Sequence, residues 1–101
     1  MLELRPSCER CNNPLPPESI QARICSFECT FCAECAEQLR NVCPNCGGGF
    51  VPRPIRPKRN WKGENFLGKY PATRAIKHRP VDMNAHAAFA AKLENIQPEE
   101  R

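Results

Sequence analysis

All eight cysteines of this 101-residue chain lie between residues 8 and 46, with a spacing typical of metal ligands. They form a C-x2-C pair, a C-x3-C-x2-C-x2-C run and a second C-x2-C pair, namely Cys8, Cys11, Cys25, Cys29, Cys32, Cys35, Cys43 and Cys46. Two sets of four thiolates match two closed tetrahedral zinc sites, in which no coordination position remains for water or substrate. The sequence therefore predicts two structural Zn²⁺ ions and no catalytic metal.

Three other uses of clustered cysteines fit the sequence less well. A disulfide framework needs an oxidising compartment, and residues 1–6 have neither the basic start nor the apolar run of a secretory signal. An iron–sulfur cluster is a closer rival, but the run from Cys25 to Cys35 has the reverse of the bacterial ferredoxin spacing. A single redox-active C-x-x-C pair would leave the other cysteines unexplained. We therefore expect a cytoplasmic zinc protein and keep an iron–sulfur protein as an alternative.

The predicted metals would be needed for folding. The first fifty residues contain few large apolar side chains, among them Phe31, Leu39 and Val42. A core that small rarely stabilises a fold by itself. Structural zinc supplies roughly 10–16 kcal/mol of apparent binding free energy per site, which outweighs a deficit of several kcal/mol in apolar burial. We expect the metal-free N-terminal half to be unfolded.

The eight cysteines can be divided between two sites in two ways. A sequential division uses the first four cysteines for one ion and the last four for the other. An interleaved division joins the pair Cys8 and Cys11 to Cys32 and Cys35, and leaves the other four for the second ion. The local sequence favours the interleaved division, because Cys32 and Cys35 lie where a turn leads into a short helix whose free N–H groups stabilise thiolates. Residues 43–46, followed by three glycines, form a second tight turn.

The segment Cys29-Thr30-Phe31-Cys32-Ala33-Glu34-Cys35, together with Cys43-Pro44-Asn45-Cys46, resembles the second half of a RING finger with cysteine in place of the usual histidine ligand. The resemblance covers about residues 6–50. It implies a small metal-stabilised α+β fold, a RING-like or treble-clef double zinc module with a short helix and a hairpin. It also implies a cross-brace with Cys8, Cys11, Cys32 and Cys35 on one Zn²⁺ and Cys25, Cys29, Cys43 and Cys46 on the other.

A second resemblance covers the whole N-terminal segment. The residues from Met1-Leu2-Glu3-Leu4-Arg5-Pro6 through Cys25-Ser26-Phe27-Glu28-Cys29 to Cys46-Gly47-Gly48 look like a family of small bacterial proteins known only as a domain of unknown function. This resemblance implies a bacterial source and brings no activity.

The residues that RING ubiquitin ligases use for recognition are mostly missing. Such ligases usually carry an aliphatic residue just before the second ligand, where this chain has Arg10. They usually carry arginine or lysine after the last ligand, where this chain has Gly47. Only Pro44 matches. Because fold alone says little about function, we expect no enzymatic activity, and a ligase-like activity is the less favoured alternative.

Charge is concentrated in residues 51–80, which carry nine basic side chains and one acidic side chain. Two explanations are open. The segment can fold back on the acidic metal module, which is the favoured interpretation, since a basic run alone has many uses. It can instead contact nucleic acid or a protein partner, because cationic groups beside exposed aromatics bind phosphates and unstacked bases. The residues predicted for such a contact are Arg53, Arg56, Lys58, Arg59, Trp61 and Lys62.

The C-terminal residues predict a helical tail. Asp82 can cap a helix from about Met83 to Ile96, and Pro98 marks its end. An apolar stripe of Phe89, Leu93 and Ile96 must bury against something, by default the metal module or the aromatic residues of the connector. The predicted organisation is a double zinc module at 1–50, a basic proline-rich connector at 51–80 and a helical tail at 81–101. No segment has the length of a membrane span.

Taken together, these features predict a non-enzymatic, zinc-stabilised module that binds a protein partner. The alternative is a nucleic-acid-binding accessory protein that uses residues 51–80.

Overall fold

The fold is organised around a small antiparallel sheet, in a computed structural model that describes all residues 1–101. Its strands are β1 (Ala22–Ile24), β2 (Thr30–Cys32) and β3 (Val51–Pro52), in the order β2-β1-β3. Helix α1 (Ala33–Gln38) follows β2 directly. Helix α2 (Met83–Leu93) and a 3-10 turn (Pro98–Glu100) lie near the C-terminus. The predicted α+β class with a short helix and a hairpin is confirmed.

The β1–β2 hairpin determines where the central cysteines lie. Ala22 is opposite Cys32 and Ile24 is opposite Thr30, so the chain reverses over residues 25–29. The turn is closed by the Cys25 N–H, which donates to the Cys29 carbonyl at 3.1 Å, and Glu28 has a left-handed φ of 67°. Cys25 and Cys29 therefore lie at the turn, whereas Cys32 lies at the opposite end of the hairpin. This antiparallel geometry separates cysteines that are close in sequence.

Cysteine side chains make up most of the buried core. Six of the ten residues in the main buried cluster are cysteines, and the other four are Leu15, Ala22, Phe31 and Leu39. Phe50 packs edge-on against Phe31, with ring centroids 5.3 Å apart. Leu4 and Leu15 are also buried, and the sequence analysis gave them no weight. Without something to hold the thiol groups together, little apolar packing would remain.

Arg53 has a structural role, and its burial leaves little of the side chain free for the predicted nucleic-acid or partner contact. Its side chain is only 4% exposed. The guanidinium donates to the carbonyls of Arg5 at 2.9 Å, Leu15 at 3.1 Å and Pro16 at 3.0 Å. Burial lowers the pKa of this guanidinium from its usual value. The side chain ties the start of the basic segment to the N-terminal loop.

Arg56 is bound in the same way. Its guanidinium is half-buried and donates to the carbonyls of Leu2, at 2.8 Å, and Tyr70. Farther along, the Thr73 N–H donates to the Leu4 carbonyl at 3.1 Å and the Arg79 N–H donates to the Glu9 carbonyl at 2.7 Å. The basic segment therefore lies across the N-terminal residues at several points.

Helix α2 begins as predicted and ends earlier than predicted. The Asp82 carboxylate accepts hydrogen bonds from the N–H groups of Asn84, at 3.0 Å, and Ala85, at 3.1 Å. The helix ends at Leu93 instead of Ile96, because the Ile96 N–H donates to the Leu93 carbonyl in a tighter turn. The Arg101 side chain holds this turn through its hydrogen bond to the Ile96 carbonyl at 3.0 Å.

The C-terminal helix docks on the second cysteine turn. The His86 ring Nε2 lies 2.8 Å from the Val42 carbonyl oxygen, and both residues are buried. Phe89 and Leu93 cover Gly47, where an added Cβ would lie 3.0 Å from Leu93 Cδ1. Two members of the predicted stripe, Phe89 and Leu93, thus pack against the cysteine-rich half of the chain, whereas Ile96 is exposed.

Candidate metal centres

The first candidate metal centre is made of four cysteines from two distant segments. The Sγ atoms of Cys8, Cys11, Cys32 and Cys35 all lie within 4.8 Å of one another. Cys11 Sγ and Cys32 Sγ are 3.8 Å apart. In a tetrahedral ZnS₄ site with Zn–S bonds of about 2.3 Å, neighbouring sulfurs are separated by about 3.8 Å. The Cys11–Cys32 distance therefore equals that of a tetrahedral site, and the four thiols lie close enough together to hold one ion.

Backbone turns aim the thiols of this group inward. An isolated β-bridge between Ser7 and Pro14 closes the first loop, and Asn12 has a left-handed φ of 63°. The Cys11 N–H points at Cys8 Sγ with an N–S distance of 3.5 Å. Cys32 is the N-cap of α1, and its Sγ accepts from the Cys35 N–H at 3.4 Å. The predicted position of these two thiols, at the start of a short helix, is confirmed.

A cationic side chain also touches the first group. Arg10 Nη1 lies 3.3 Å from Cys35 Sγ and donates to Gln38 as well. Since four thiolates around one divalent ion leave a net charge of minus two, a guanidinium donor at the rim is favourable. In the sequence, Arg10 stands out only as a departure from the ligase pattern. In the structure, its side chain contacts Cys35, a candidate metal ligand.

The second candidate centre is less complete. The Sγ atoms of Cys25, Cys43 and Cys46 lie within 4.8 Å of one another. The Phe27 N–H points at Cys25 Sγ at 3.3 Å, and the Gly48 N–H points at Cys46 Sγ at 3.4 Å. Gly47 has a φ of 80°, which lets the turn between Cys43 and Gly48 close.

The fourth cysteine predicted for this centre, Cys29, lies outside the group of three. Its Sγ accepts a hydrogen bond from Asn45 Nδ2 at 3.4 Å. Burial raises the pKa of the Cys29 thiol; the Asn45 amide lowers it, and the nearby Cys25 thiol raises it further. The structure thus brings seven of the eight cysteines into two groups and leaves Cys29 at the edge of the second.

Burial makes the thiols of both groups costly to ionise. Burial raises the pKa of Cys35, and its neighbours Cys32 and Cys8 raise it further. Burial likewise raises the pKa of Cys43, with a further contribution from Cys29 and Cys25. At Cys8 burial acts in the same direction, but hydrogen bonds from the backbone of Cys11 and its neighbours reverse it, and the pKa of that thiol is lowered. A divalent ion would stabilise the thiolate form of these clustered groups.

The sequence analysis missed Glu9, a buried carboxylate next to the first ligand. Glu9 is 1% exposed. Its Oε2 accepts from Arg5 Nη1 at 2.9 Å and from the Thr30 N–H, which joins the first loop to β2. The hydrogen bond and charge of Glu9 outweigh burial and raise the pKa of Arg5. No sequence pattern marks such a Glu–Arg pair, because it can be recognised only when the structure shows that the two side chains are buried together.

The two histidines take no part in either group. His86 bonds to a backbone carbonyl as described, and His78 Nε2 lies 3.1 Å from the Arg10 carbonyl oxygen.

The remaining predicted contact residues, Lys58, Arg59, Trp61 and Lys62, are all exposed. Trp61 is 76% exposed. No helix of the chain is both long enough and apolar enough to span a bilayer.

Comparison with known proteins places the chain in a family without an assigned activity. The family model described as Protein of unknown function (DUF1272) matches residues 1–56, which include all eight cysteines and Arg53. A relative from the bacterium Rhizobium meliloti (strain 1021), Uncharacterized protein R02474, is 54% identical over 81 residues, covering 79% of this chain and 89% of the relative. No solved structure matches the chain. The chain belongs to the DUF1272 family.

Proposed function

We propose that this protein is a non-enzymatic interaction module whose N-terminal half is built on two structural Zn²⁺ ions in a RING-like cross-brace. One ion would be held by Cys8, Cys11, Cys32 and Cys35, and the other by Cys25, Cys29, Cys43 and Cys46. The observation that carries the proposal is the four-thiol group, because its members come from segments more than twenty residues apart and their sulfurs converge to within 4.8 Å of one another.

The hairpin supports the cross-brace. One end of it contributes Cys32 to the first group, and the turn at the other end contributes Cys25 to the second. Each ion would therefore tie the hairpin to a different flanking segment, the N-terminal loop or the turn at residues 43–46. Because the two loops closed by the ions overlap in sequence, neither half of the module could unfold alone.

The spacing of the thiols favours single ions over an iron–sulfur cluster. A separation of no more than 4.8 Å leaves room for one ion between the sulfurs, whereas bridging irons and sulfides would push the cysteines farther apart. Native mass spectrometry beside the denatured mass tests this point. We expect two zinc ions per chain and a colourless protein, and visible absorbance from purified anaerobic protein would contradict the proposal.

A protein partner is favoured by the exposed apolar side chains around the sheet. Ile20, Phe27, Val51 and Ile55 are exposed, and Val51 belongs to the edge strand β3. Exposed apolar residues at an unpaired strand edge are typical of interaction surfaces.

Closed ligand sets support the absence of catalysis. Pro44, the one match to the ligase pattern, is half-buried and lines a groove together with residues of α2. Because thiol ligands must stay reduced, we place the protein in the cytoplasm.

The interaction role can be tested with a metal-dependent binding experiment. Zinc-loaded protein immobilised on resin should retain a stoichiometric partner from the extract of its source, and the variant Phe27→Ser with Val51→Ser should lose it. Ile76→Ser, which also replaces an exposed apolar residue, is the matched control. Identical retention by the double variant and by the control would refute this surface as the interface.

Nucleic-acid binding is a second candidate, supported by a smaller set of residues than the sequence suggested. Arg53 and Arg56 donate to backbone carbonyls, which leaves Lys58, Arg59 and Lys62 around the exposed Trp61. Binding of mixed single-stranded DNA and RNA should weaken steeply with salt if these residues contact phosphates. The variant Trp61→Ala should then lose stacking, and no binding at low salt would eliminate this candidate.

A further inference from the structure

The proline-rich segment after β3 crosses the N-terminal residues with a period of three. Arg53 donates to the Arg5 carbonyl at 2.9 Å, and Arg56, three residues farther on, donates to the Leu2 carbonyl at 2.8 Å. In a β-strand, residues three apart point to opposite faces. In a polyproline II helix, which has three residues per turn, they share one face. Because both guanidiniums reach the same N-terminal segment, their spacing indicates a polyproline II conformation.

The prolines of the segment favour the same conformation. Pro52, Pro54 and Pro57 each fix their own φ at about −65° and bias the preceding residue to extended angles. No backbone N–H or carbonyl group of residues 54–56 has a hydrogen-bond partner within the chain. A polyproline II helix has no internal hydrogen bonds and a fully solvated backbone. Proline chemistry and the absence of backbone pairing thus agree with the spacing of the two arginines.

With one face of this helix on the protein, the other two faces remain open. Pro54 and Pro57 are three residues apart and share the second face, and Ile55 and Lys58 share the third. All four residues are exposed, with Ile55 at 51%. The two anchoring arginines, by contrast, are buried or half-buried. The chain therefore presents a proline ridge beside an apolar and cationic ridge, both held in place from below.

The chemistry of the two ridges specifies the kind of partner. Exposed prolines spaced three apart on a polyproline II helix dock in grooves lined by aromatic side chains. Because the arginines already hold the segment in this conformation, little ordering entropy is lost when a groove binds it. Lys58 and Arg59 are exposed at the C-terminal end of the ridge and form no salt bridge. A complementary groove carries carboxylates at that end.

We propose that residues 54–59 are a preformed polyproline II ligand for a partner protein with an aromatic-lined groove and an acidic rim, an inference that rests on the proposed interaction function. Nucleic acid fits the two ridges less well. Proline and isoleucine side chains provide neither a donor for phosphate nor an aromatic face for base stacking.

The inference can be tested with a defined probe, a purified SH3 domain whose groove has aromatic walls and an acidic rim. The zinc-loaded full chain, isotope-labelled for NMR, would be titrated with this domain. We expect saturable shifts of the backbone amides of Ile55, Arg56 and Lys58. A synthetic peptide of residues 52–59 should bind the domain about tenfold more weakly, because it must be ordered on binding. Absence of saturable shifts, or a peptide that binds as tightly as the intact chain, would overturn the inference.

Variants connect the binding to the proline ridge. Pro57→Ala removes one member of the ridge and keeps both anchoring arginines, and it should weaken binding about tenfold. Pro80→Ala, which replaces an exposed proline outside the segment, is the matched control and should have no effect. Equal binding by the two variants would refute the ridge as the contact. Shifts confined to Lys58 and Arg59 that disappear in about 0.5 M salt would show charge attraction alone and would also refute it.

The two proposals fail differently. If the SH3 domain does not bind, but the immobilised protein still retains a partner that Phe27→Ser with Val51→Ser loses, only the polyproline inference is wrong. If the domain binds at residues 54–59 and no partner is retained from the extract, the interaction function is wrong, whereas the fit of the segment to an aromatic groove stands.

Discussion

Replacing Arg53 by alanine should strongly destabilise the metal-loaded protein. The side chain is 4% exposed and donates to the carbonyls of Arg5, Leu15 and Pro16 over 2.9–3.1 Å. A carbonyl left without a partner costs about 1–3 kcal/mol when it is buried, as that of Leu15 is, and less for the part-buried carbonyls of Arg5 and Pro16. Water that enters the vacated space offsets part of this cost, so we expect a loss of about 3–5 kcal/mol in the free energy of unfolding.

Urea denaturation at a fixed excess of free zinc is a suitable assay, because the metal then contributes equally to every variant. With a slope of about 2 kcal/mol per molar urea, the midpoint should fall by about 1.5–2.5 M. Arg53→Lys keeps the charge but loses the planar fork, and it should lose about half as much. Arg59→Ala is the matched control, since Arg59 is exposed and surface substitutions usually change stability by less than about 0.5 kcal/mol.

The test compares the urea midpoint of Arg53→Ala with that of Arg59→Ala. If Arg53→Ala unfolds at the same urea concentration as Arg59→Ala, the buried hydrogen bonds contribute nothing. Arg53 would then return to the set of residues that can contact a ligand.

Three further predictions concern the metals and the tail. Strong chelation should abolish the circular dichroism and the dispersed NMR signals of the N-terminal half, because little apolar core remains without the ions, and a spectrum unchanged by chelation would contradict this. Cys43→Ser and Cys29→Ser should each reduce the zinc content from two ions to one, because the proposed cross-brace uses both thiols as ligands of the second ion. Competition with a chromophoric chelator measures both variants, and a second ion retained by Cys29→Ser with undiminished affinity would show that the group of three holds it without Cys29. Gly47→Ala should release α2, because Gly47 has a φ of 80° and its new Cβ would lie 3.0 Å from Leu93 Cδ1. Hydrogen exchange of the α2 amides should become about tenfold faster, for a cost of about 1.4 kcal/mol, and unchanged exchange would show that the helix docks by other contacts.

The features that follow from local chemistry could be predicted from the sequence. A cysteine pair with two residues between its members favours a turn, and Asp82 caps the helix that follows because its carboxylate reaches N–H groups two and three residues away. The position of Cys32 at the start of α1 is equally local. The end of α2 was misjudged because propensity favours continuing to Ile96, whereas the Arg101 side chain, arriving from the C-terminus, stabilises the tighter turn.

The basic segment contains a difference that local sequence could not predict. In sequence, Arg53 and Arg59 are equivalent members of one cationic run, and both were assigned to a possible contact surface. In the structure one is buried on three carbonyls and the other is exposed. The difference comes from β3, whose pairing with β1 places Arg53 over the N-terminal loop. Strand pairing is a long-range property that residue type does not encode.

The sequence by itself determined which atoms can bind metal and how the turns around them form, because thiol chemistry and turn geometry depend on residues close along the chain. Only the tertiary structure decided which cysteines meet, that Cys29 stands apart from its three predicted partners, and that Glu9 is buried with an unpaired oxygen beside α2. These outcomes depend on distances between segments that are far apart in sequence. Such distances are set by packing and hydrogen bonding across the whole molecule.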